Sequence, residues 1–427
     1  VAQPEKQLPA FVLNASEYEE LLQRFVRYAK VHTSSREDSE TFPSTPWQWD
    51  LLRLLKQELL DMKLSEVELD EKYGYLYATL PATVEGAPTI GLIAHVDTYP
   101  STPGENVKPQ VLRNYDGKEI VLPGDPRQVI TVDDTPQLKE WIGHTVITAD
   151  GTTLLGADDK AGVAEIMTCV DWLIRHPEVP HGKIRVAFTP DEEIGIGSKY
   201  FDVPKFGAVC AYTVDGSLLG EIEVETFSGD SATVTVTGYD IHPGLAKGKM
   251  KNAVRAAADF IGRLPSERLP EATEKREPYL HPLAISGETG KVVVKFILRA
   301  FSEPELKAMG DYVRKAAEAA QRDWPGVTFE VDIKESYRNM KVVLDKHPRV
   351  VNLAKDAVRL AGIEAVEGYI RGGTDGSALS FKGLPTPNIF TGAVNYHGFK
   401  ECVSLEWMAK SCETLLHLAH LWGKERA

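Results

Sequence analysis

TIGLIAHVD, residues 89–97, is the stretch on which the reading of this chain turns. Its apolar residues run on without polar alternation, as in a short strand buried on both faces. It ends on His95-Val96-Asp97. Residues i and i+2 of a strand share a face, so the Asp97 carboxylate can bond the His95 imidazole or lie just behind it. A carboxylate so placed fixes the tautomer of a metal-ligating histidine and raises its basicity. Alone, H-x-D describes an ordinary strand-end histidine equally well.

Working outward, Val163, Ile166, Met167, Val170, Leu173 and Ile174 recur at helical spacing until Pro177 ends the pattern. Residues 184–188 and 209–214 then read as two more buried strands. Strand, helix, strand in this order predicts an α/β domain whose functional groups stand at the carboxyl ends of its strands. The middle of the chain changes character. SATVTVTG (231–238) alternates at period two, as a half-exposed strand does. A helix is expected over 252–264, strands over 280–286 and 291–300, a helix over 303–321 and a strand over 327–336. That order, β-α-β-β-α-β, is the split βαβ pattern of a small two-layer sandwich. A helix over 350–360 and a short buried strand over 387–390 resume the earlier style. The expected division is therefore a discontinuous first domain, 1–226 and 339–427, interrupted by an insertion over 227–338.

A chain of 427 residues exceeds what one core usually serves. Its formal net charge of -14 lacks the basic face that a nucleic acid or an anionic membrane would need. Cys169, Cys210, Cys402 and Cys412 form no C-x-x-C pair, so reduced, buried thiols are expected rather than a disulfide framework. No apolar run approaches the roughly 18 residues that span a bilayer. Residues 1–10, with Pro4 and Pro9, lack the apolar core of a signal peptide. A cytoplasmic location is the expectation.

Four further segments carry the acids and the second histidine. Asp158 and Asp159 stand in GADDK (156–160), where two adjacent carboxylates need a cation or donors if buried. A solvated helix N-terminus, which favours Asp, accounts for them equally well. Glu192 and Glu193 follow the 184–188 strand in TPDEE (189–193). Neighbours cannot face one metal alike, so Glu193 is read as a ligand and Glu192 as a base beside the attacking water. Asp215 ends YTVDG (212–216), where an Asp-Gly turn would also place it. His397 stands in NYHG (395–398). Each segment alone has a structural explanation, but His95, Asp158, Glu193, Asp215 and His397 together form the nitrogen and oxygen set that zinc accepts. Three carboxylates against two Zn²⁺ leave one positive charge, which a bridging hydroxide would neutralise.

The order H-x-D, G-A-D-D-K, E-E, D-G and a late His resembles the co-catalytic zinc metallopeptidase family that includes bacterial carboxypeptidase G and succinyl-diaminopimelate desuccinylase. The resemblance spans nearly the whole chain. It rests on IAHVDT (93–98), TTLLGADDKAG (152–162), IRVAFTPDEE (184–193), AYTVDG (211–216), HPGLAKG (242–248), IRGGTDG (370–376) and NYHG (395–398). It implies a dizinc-exopeptidase catalytic domain with a mixed, largely parallel sheet, plus an inserted α+β, ferredoxin-like lid domain. It further implies two Zn²⁺ ions, with Co²⁺ or Mn²⁺ as substitutes, and release of the N-terminal residue from short peptides, chiefly tripeptides. Asp158 would bridge the ions, with His95 and Asp215 on one and Glu193 and His397 on the other. Asp97 would support His95, and Glu192 would activate the bridging hydroxide. A cis peptide is implied at Asp158–Asp159. His242 would stabilise the tetrahedral oxyanion, while Arg371 and Arg299 would grip the peptide's C-terminal carboxylate.

Departures from the family pattern fall elsewhere: residues 99–105 lack a customary Asp, and Ser217, Ala300 and Cys402 replace the usual residue types. They bear on substrate preference. The same fold also serves dipeptidases, carboxypeptidases and amide deacylases. A non-catalytic metal-binding scaffold is the reading from a different class, and an intact Glu192 argues against it. Short peptides are the expected partners, with a homodimer left open.

Overall fold

A computed structural model describes residues 10–426. Residues 1–9, with Pro4 and Pro9, and residue 427 lie outside the described residues. The chain divides into two compact units, Val1–Val224 with Val342–Gly368 and Thr374–Ala427, and Glu225–Lys341 with Tyr369–Gly373.

The first unit is built on an eight-stranded mixed sheet. Its strand order is Ser65–Leu69, Leu76–Leu80, Ile184–Thr189, Ile90–His95, Cys210–Gly216, Asn388–Phe390, Glu221–Thr226, Val366–Ile370. The centre is parallel: Ile90–His95 lies between Ile184–Thr189 and Cys210–Gly216, both running its way. The flanks are antiparallel. All six residues of Ile90–His95 are buried, which is why its apolar run does not alternate. Register places His95 opposite Thr189 and Ile93 opposite Thr213, so three neighbouring strands end side by side. His95, the turn carrying Glu192 and Glu193, and Asp215 therefore rise from one edge of the sheet.

The helix Ala157–Arg175 packs across the Ile90 and Cys210 strands. A Cβ on Gly162 would lie 1.7 Å from the Val214 carbonyl oxygen. Only glycine lets the helix backbone approach that strand so closely, one residue before Asp215. Helix Leu405–Lys424 packs against Ala157–Arg175 and Pro348–Leu360. Helix Ala15–Ala29 also packs on Ala157–Arg175 and opens on a capping box, in which Asn14 accepts from Glu17 N and the Glu17 side chain accepts from Asn14 N. A smaller four-stranded sheet joins Ala393–Val394, Cys402–Ser404, Val146–Thr148 and Gln110–Leu112. Its first two strands are antiparallel, and His397 sits in their connection.

The second unit has four antiparallel strands in the order Tyr279–Glu288, Lys291–Ala300, Ser228–Thr237, Thr328–Tyr337. Helices Ala253–Gly262 and Glu303–Asp323 cover one face. Val234, Val236, Phe260, Val294, Phe296, Leu298 and Val313 fill the space between. This is the α+β, ferredoxin-like arrangement that the alternating segments predict. Tyr369–Gly373, which the expected boundaries put in the first domain, groups instead with this unit. The cause is contact with distant segments: Phe227 N donates to Ile370 O, and Arg371 lies over the Phe227 and Tyr279 rings.

All four cysteines are buried free thiols. Among the described residues no helix is long and apolar enough to cross a membrane.

Candidate metal centre

Seven of the residues singled out from the sequence converge at the sheet edge. His95 Nε2 lies 2.9 Å from Asp158 Oδ1 and 3.6 Å from Asp215 Oδ1. His397 Nε2 lies 3.1 Å from Asp158 Oδ2 and 2.9 Å from Glu193 Oε2. The two oxygens of Asp158 thus face two different histidines. Glu192 Oε2 is 4.0 Å from His95 Nε2. Asp97, fully buried, has Oδ1 3.3 Å from His95 Nδ1. The same carboxylate accepts from Glu192 N at 3.0 Å and Glu193 N at 3.2 Å. It therefore fixes the backbone of both glutamates as well as the ring of His95.

Local backbone explains how these groups are aimed. Gly156, at φ 78°, turns the chain into the helix, and Asp158 and Asp159 keep non-helical dihedrals inside it. Their peptide bond is cis. Asp191, at φ 58°, turns the chain towards Glu192. Its carboxylate holds that turn by accepting from Ser44 N at 2.6 Å and Gln48 Nε2 at 2.8 Å. His397 also has a positive φ, 64°. It is held by Tyr99, stacked on its ring at 4.2 Å, and by Thr102 Oγ1, which donates to its carbonyl at 2.6 Å.

Sequence reading does not reach several of these supports. Tyr99, Thr102 and Asp191 are ordinary residue types whose partners lie far away in the chain. Asp375, buried beside Thr189, accepts from its hydroxyl at 2.9 Å and steadies the same turn. The one signal for Asp375 is its place in the IRGGTDG segment.

Burial and crowding leave too much negative charge for the protein alone. Burial, then the Asp158 charge, pushes the Glu193 carboxyl up to about 8 against the opposing His397 hydrogen bond. Burial pushes Asp215 up to about 6, with His95 opposing and Asp158 adding. Burial, with the Asp215, Asp375 and Glu193 charges, holds Glu192 well above the ordinary glutamate range. Burial favours a neutral His397, but hydrogen bonds to Asp158 and Glu193 overcome it and raise the ring to about 11. Burial favours a protonated Asp158, yet the His397 and His95 bonds win and keep it ionised far below the usual range. Protons here occupy positions where a multivalent cation would serve better.

The donor set fits that cation. His95, Asp158 and Glu193 offer ligand atoms all within 4.8 Å of one another, as do His95, Asp159 and Asp215. Glu193 Oε1 is buried without a hydrogen-bond partner. Asp159 is the less available member of its group, since its Oδ2 already accepts from His95 N at 3.1 Å. Nitrogen and carboxylate oxygens at strand ends suit zinc and its close substitutes.

The three remaining residues lie in the second unit. His242 is exposed, and its Nδ1 accepts from Gly244 N at 3.1 Å. Arg371 donates to Lys275 O at 2.7 Å and Thr273 Oγ1 at 3.1 Å. Arg299 donates to Leu298 O at 2.9 Å and lies over the Tyr337 ring. Both guanidiniums oppose the upward push of burial on the Tyr279 hydroxyl, so they stand around one aromatic ring. Among the described residues neither forms a salt bridge.

The family model for "Peptidase family M20/M25/M40" matches residues 131–421, a span that includes Asp158, Glu192, Glu193, Asp215 and His397. Peptidase T of Geobacillus thermodenitrificans is 46% identical over 408 residues, covering 95% of this chain and 99% of that one. Peptidase T of Bacillus subtilis is 46% identical over 402 residues, covering 94% and 98%. Among solved structures, the aminopeptidase PepT of Bacillus cereus superposes with a TM-score of 0.73 at 24% identity, over 97% of this chain and 100% of that one. A tripeptidase of Staphylococcus aureus superposes with a TM-score of 0.76 at 22% identity and the same coverage. With the family model matching most of the chain, and relatives this similar over nearly all of it, the chain belongs to peptidase family M20/M25/M40, on its peptidase T branch.

Proposed function

We propose that this chain is a metal-dependent aminopeptidase that releases the N-terminal residue of tripeptides, with two zinc ions held by His95, Asp158, Glu193, Asp215 and His397. The observation that carries the reading is the Asp158 carboxylate, which directs one oxygen to each of two histidines. Asp158, Glu193 and His397 would hold one cation, and Asp158, His95 and Asp215 the other. Bound there, the ions would polarise the scissile carbonyl as Lewis acids and acidify a water.

The chain's own groups do the rest. Glu192 stands at the edge of the ligand cluster without being needed as a ligand. It takes the proton of the attacking water and returns it to the leaving amine, and burial raises its basicity for that task. Asp97 holds Glu192 in place through its backbone N–H. Arg371 and Arg299, which form no salt bridge among the described residues, bind the C-terminal carboxylate of the peptide, and His242 donates to the oxyanion. Reduced, buried cysteines support a cytoplasmic place of work.

A panel of tri-, di- and N-acylated peptides, assayed after chelation and after zinc, cobalt or manganese is restored, tests the reading. Tripeptides should lose their first residue fastest, and only with metal present. Preferred release from N-acylated peptides would reverse it in favour of a deacylase. Arg371→Ala should raise KM for tripeptides about tenfold or more, the worth of a charge-assisted bond, with kcat little changed. An unchanged KM would remove Arg371 from substrate binding.

A further inference from the structure

We propose that Glu401 is a positioning residue that locks the Asp158 and His397 segments together, so that both metal positions exist before metal arrives. Glu401 stands four residues after His397 and is 1% exposed. Its Oε2 accepts from Leu155 N and Gly156 N, both at 2.8 Å. Its Oε1 accepts from Asp158 N at 3.0 Å. One carboxylate therefore grips three N–H groups within the four residues 155–158 that deliver Asp158. Glu401 N in turn donates to Gly398 O at 3.3 Å, which closes its own segment around His397.

A buried carboxylate usually has a cation beside it. Here the buried Lys160 feels the Glu401 charge but donates its Nζ to Val31 O at 2.7 Å rather than to that carboxylate. All three bonds accepted by Glu401 come from main-chain N–H groups. Helix capping does not account for the arrangement. The cap residue, Gly156, has no side chain to offer, and Asp158 and Asp159 are not helical. The Asp158 N–H stands in the first turn, where no helical carbonyl receives it, and an acceptor must come from elsewhere. It comes from the segment that carries His397, more than 240 residues away in sequence. Slack in this clamp would move Asp158 Oδ2 relative to His397 Nε2, a separation of 3.1 Å on which the shared site depends. Outer groups that orient metal ligands typically contribute about 10–100-fold in affinity.

Glu401→Gln is the test, because it keeps the shape but puts an N–H₂ donor opposite at least one of the three N–H groups. Glu406→Gln is the control: that carboxylate also accepts from a backbone N–H, Thr145 at 2.9 Å, away from the site. Zinc affinity is read on chelated protein by competition with a chromophoric chelator, and the ligand field from the visible spectrum of the Co²⁺ form. Glu401→Gln should weaken zinc binding about tenfold or more and change the Co²⁺ spectrum, with the metal-free melting temperature close to that of Glu406→Gln. The control should leave both readouts as in the parent. Zinc affinity within about twofold of the parent, or a loss matched by the control, overturns the proposal.

Should Glu401→Gln yield no folded protein, amide exchange in the unaltered metal-free enzyme decides. Slow exchange over residues 155–158 supports the clamp, and exchange as fast as in exposed loops contradicts it. The proposal rests on the two-metal reading, but the two fail differently. A parent protein that binds no zinc defeats that reading, whereas a Glu401→Gln variant that binds like the parent defeats only the clamp.

Discussion

In the proposed mechanism the chemistry turns on Asp158, and its surroundings show why this half-buried carboxylate stays ionised. Two histidines face its two oxygens, and these bonds outweigh burial. Glu192 has the opposite balance: burial and like charges hold its proton on, as the proposed role of a base that takes and returns a proton requires. Replacing Glu192 should therefore separate binding from chemistry. Glu192→Ala is expected to retain both metals and lower kcat by at least about 10²–10⁴-fold, checked by metal analysis beside a tripeptide assay. Loss of metal in step with activity would make Glu192 a ligand instead. His95, Asp158, Glu192, Glu193, Asp215 and His397 could be picked out in the sequence because each closes a strand or opens a turn. Tyr99, Asp375 and Glu401 could not, because their partners are a stacked ring, a threonine hydroxyl and backbone N–H groups brought together only by folding.

At the level of elements, the parallel centre of the large sheet sets the site by aligning three strand ends in register. Helix Ala157–Arg175 then presses Asp158 towards Asp215, and Gly162 is the point of closest approach. Gly162→Ala should lower stability by about 1–3 kcal/mol and weaken metal binding together, measured by denaturant unfolding and zinc titration. Unaltered stability would mean that the helix can withdraw without cost. The strands over 184–189 and 210–216 are legible as short, mostly apolar runs, and the six main elements of the second unit by their periodicity. Other elements are not. The strands Ala393–Val394 and Cys402–Ser404 are too short to show any period, yet their connection carries His397. Helix Leu405–Lys424 is buried nearly all round, so no single apolar stripe announces it. Tyr369–Gly373 joins the second unit through packing on Phe227 and Tyr279, a non-local cause that the order of segments does not contain.

For the whole molecule, the ligand cluster makes stability depend on pH and metal together. Asp215 is raised to about 6, Glu193 to about 8 and His397 to about 11. Each folded value exceeds its unfolded one, so the metal-free folded chain binds more protons than the unfolded chain across that range. Its stability is greatest below the unfolded values and is lost as pH rises through the folded ones. Asp158 has the opposite sign, but its effect falls in acid, below about pH 4. Metal displaces the bound protons, so the gap in melting temperature between loaded and metal-free protein should widen from about pH 6 to about pH 9. A gap that is constant or narrows would show that the cluster does not bind metal in exchange for protons. The most direct test of the account adds zinc in known equivalents to chelated protein and follows release of the N-terminal residue from a tripeptide. Activity that is absent without metal and reaches its plateau at two equivalents per chain is the predicted result. Activity that survives chelation, or that cleaves the C-terminal residue instead, would contradict it.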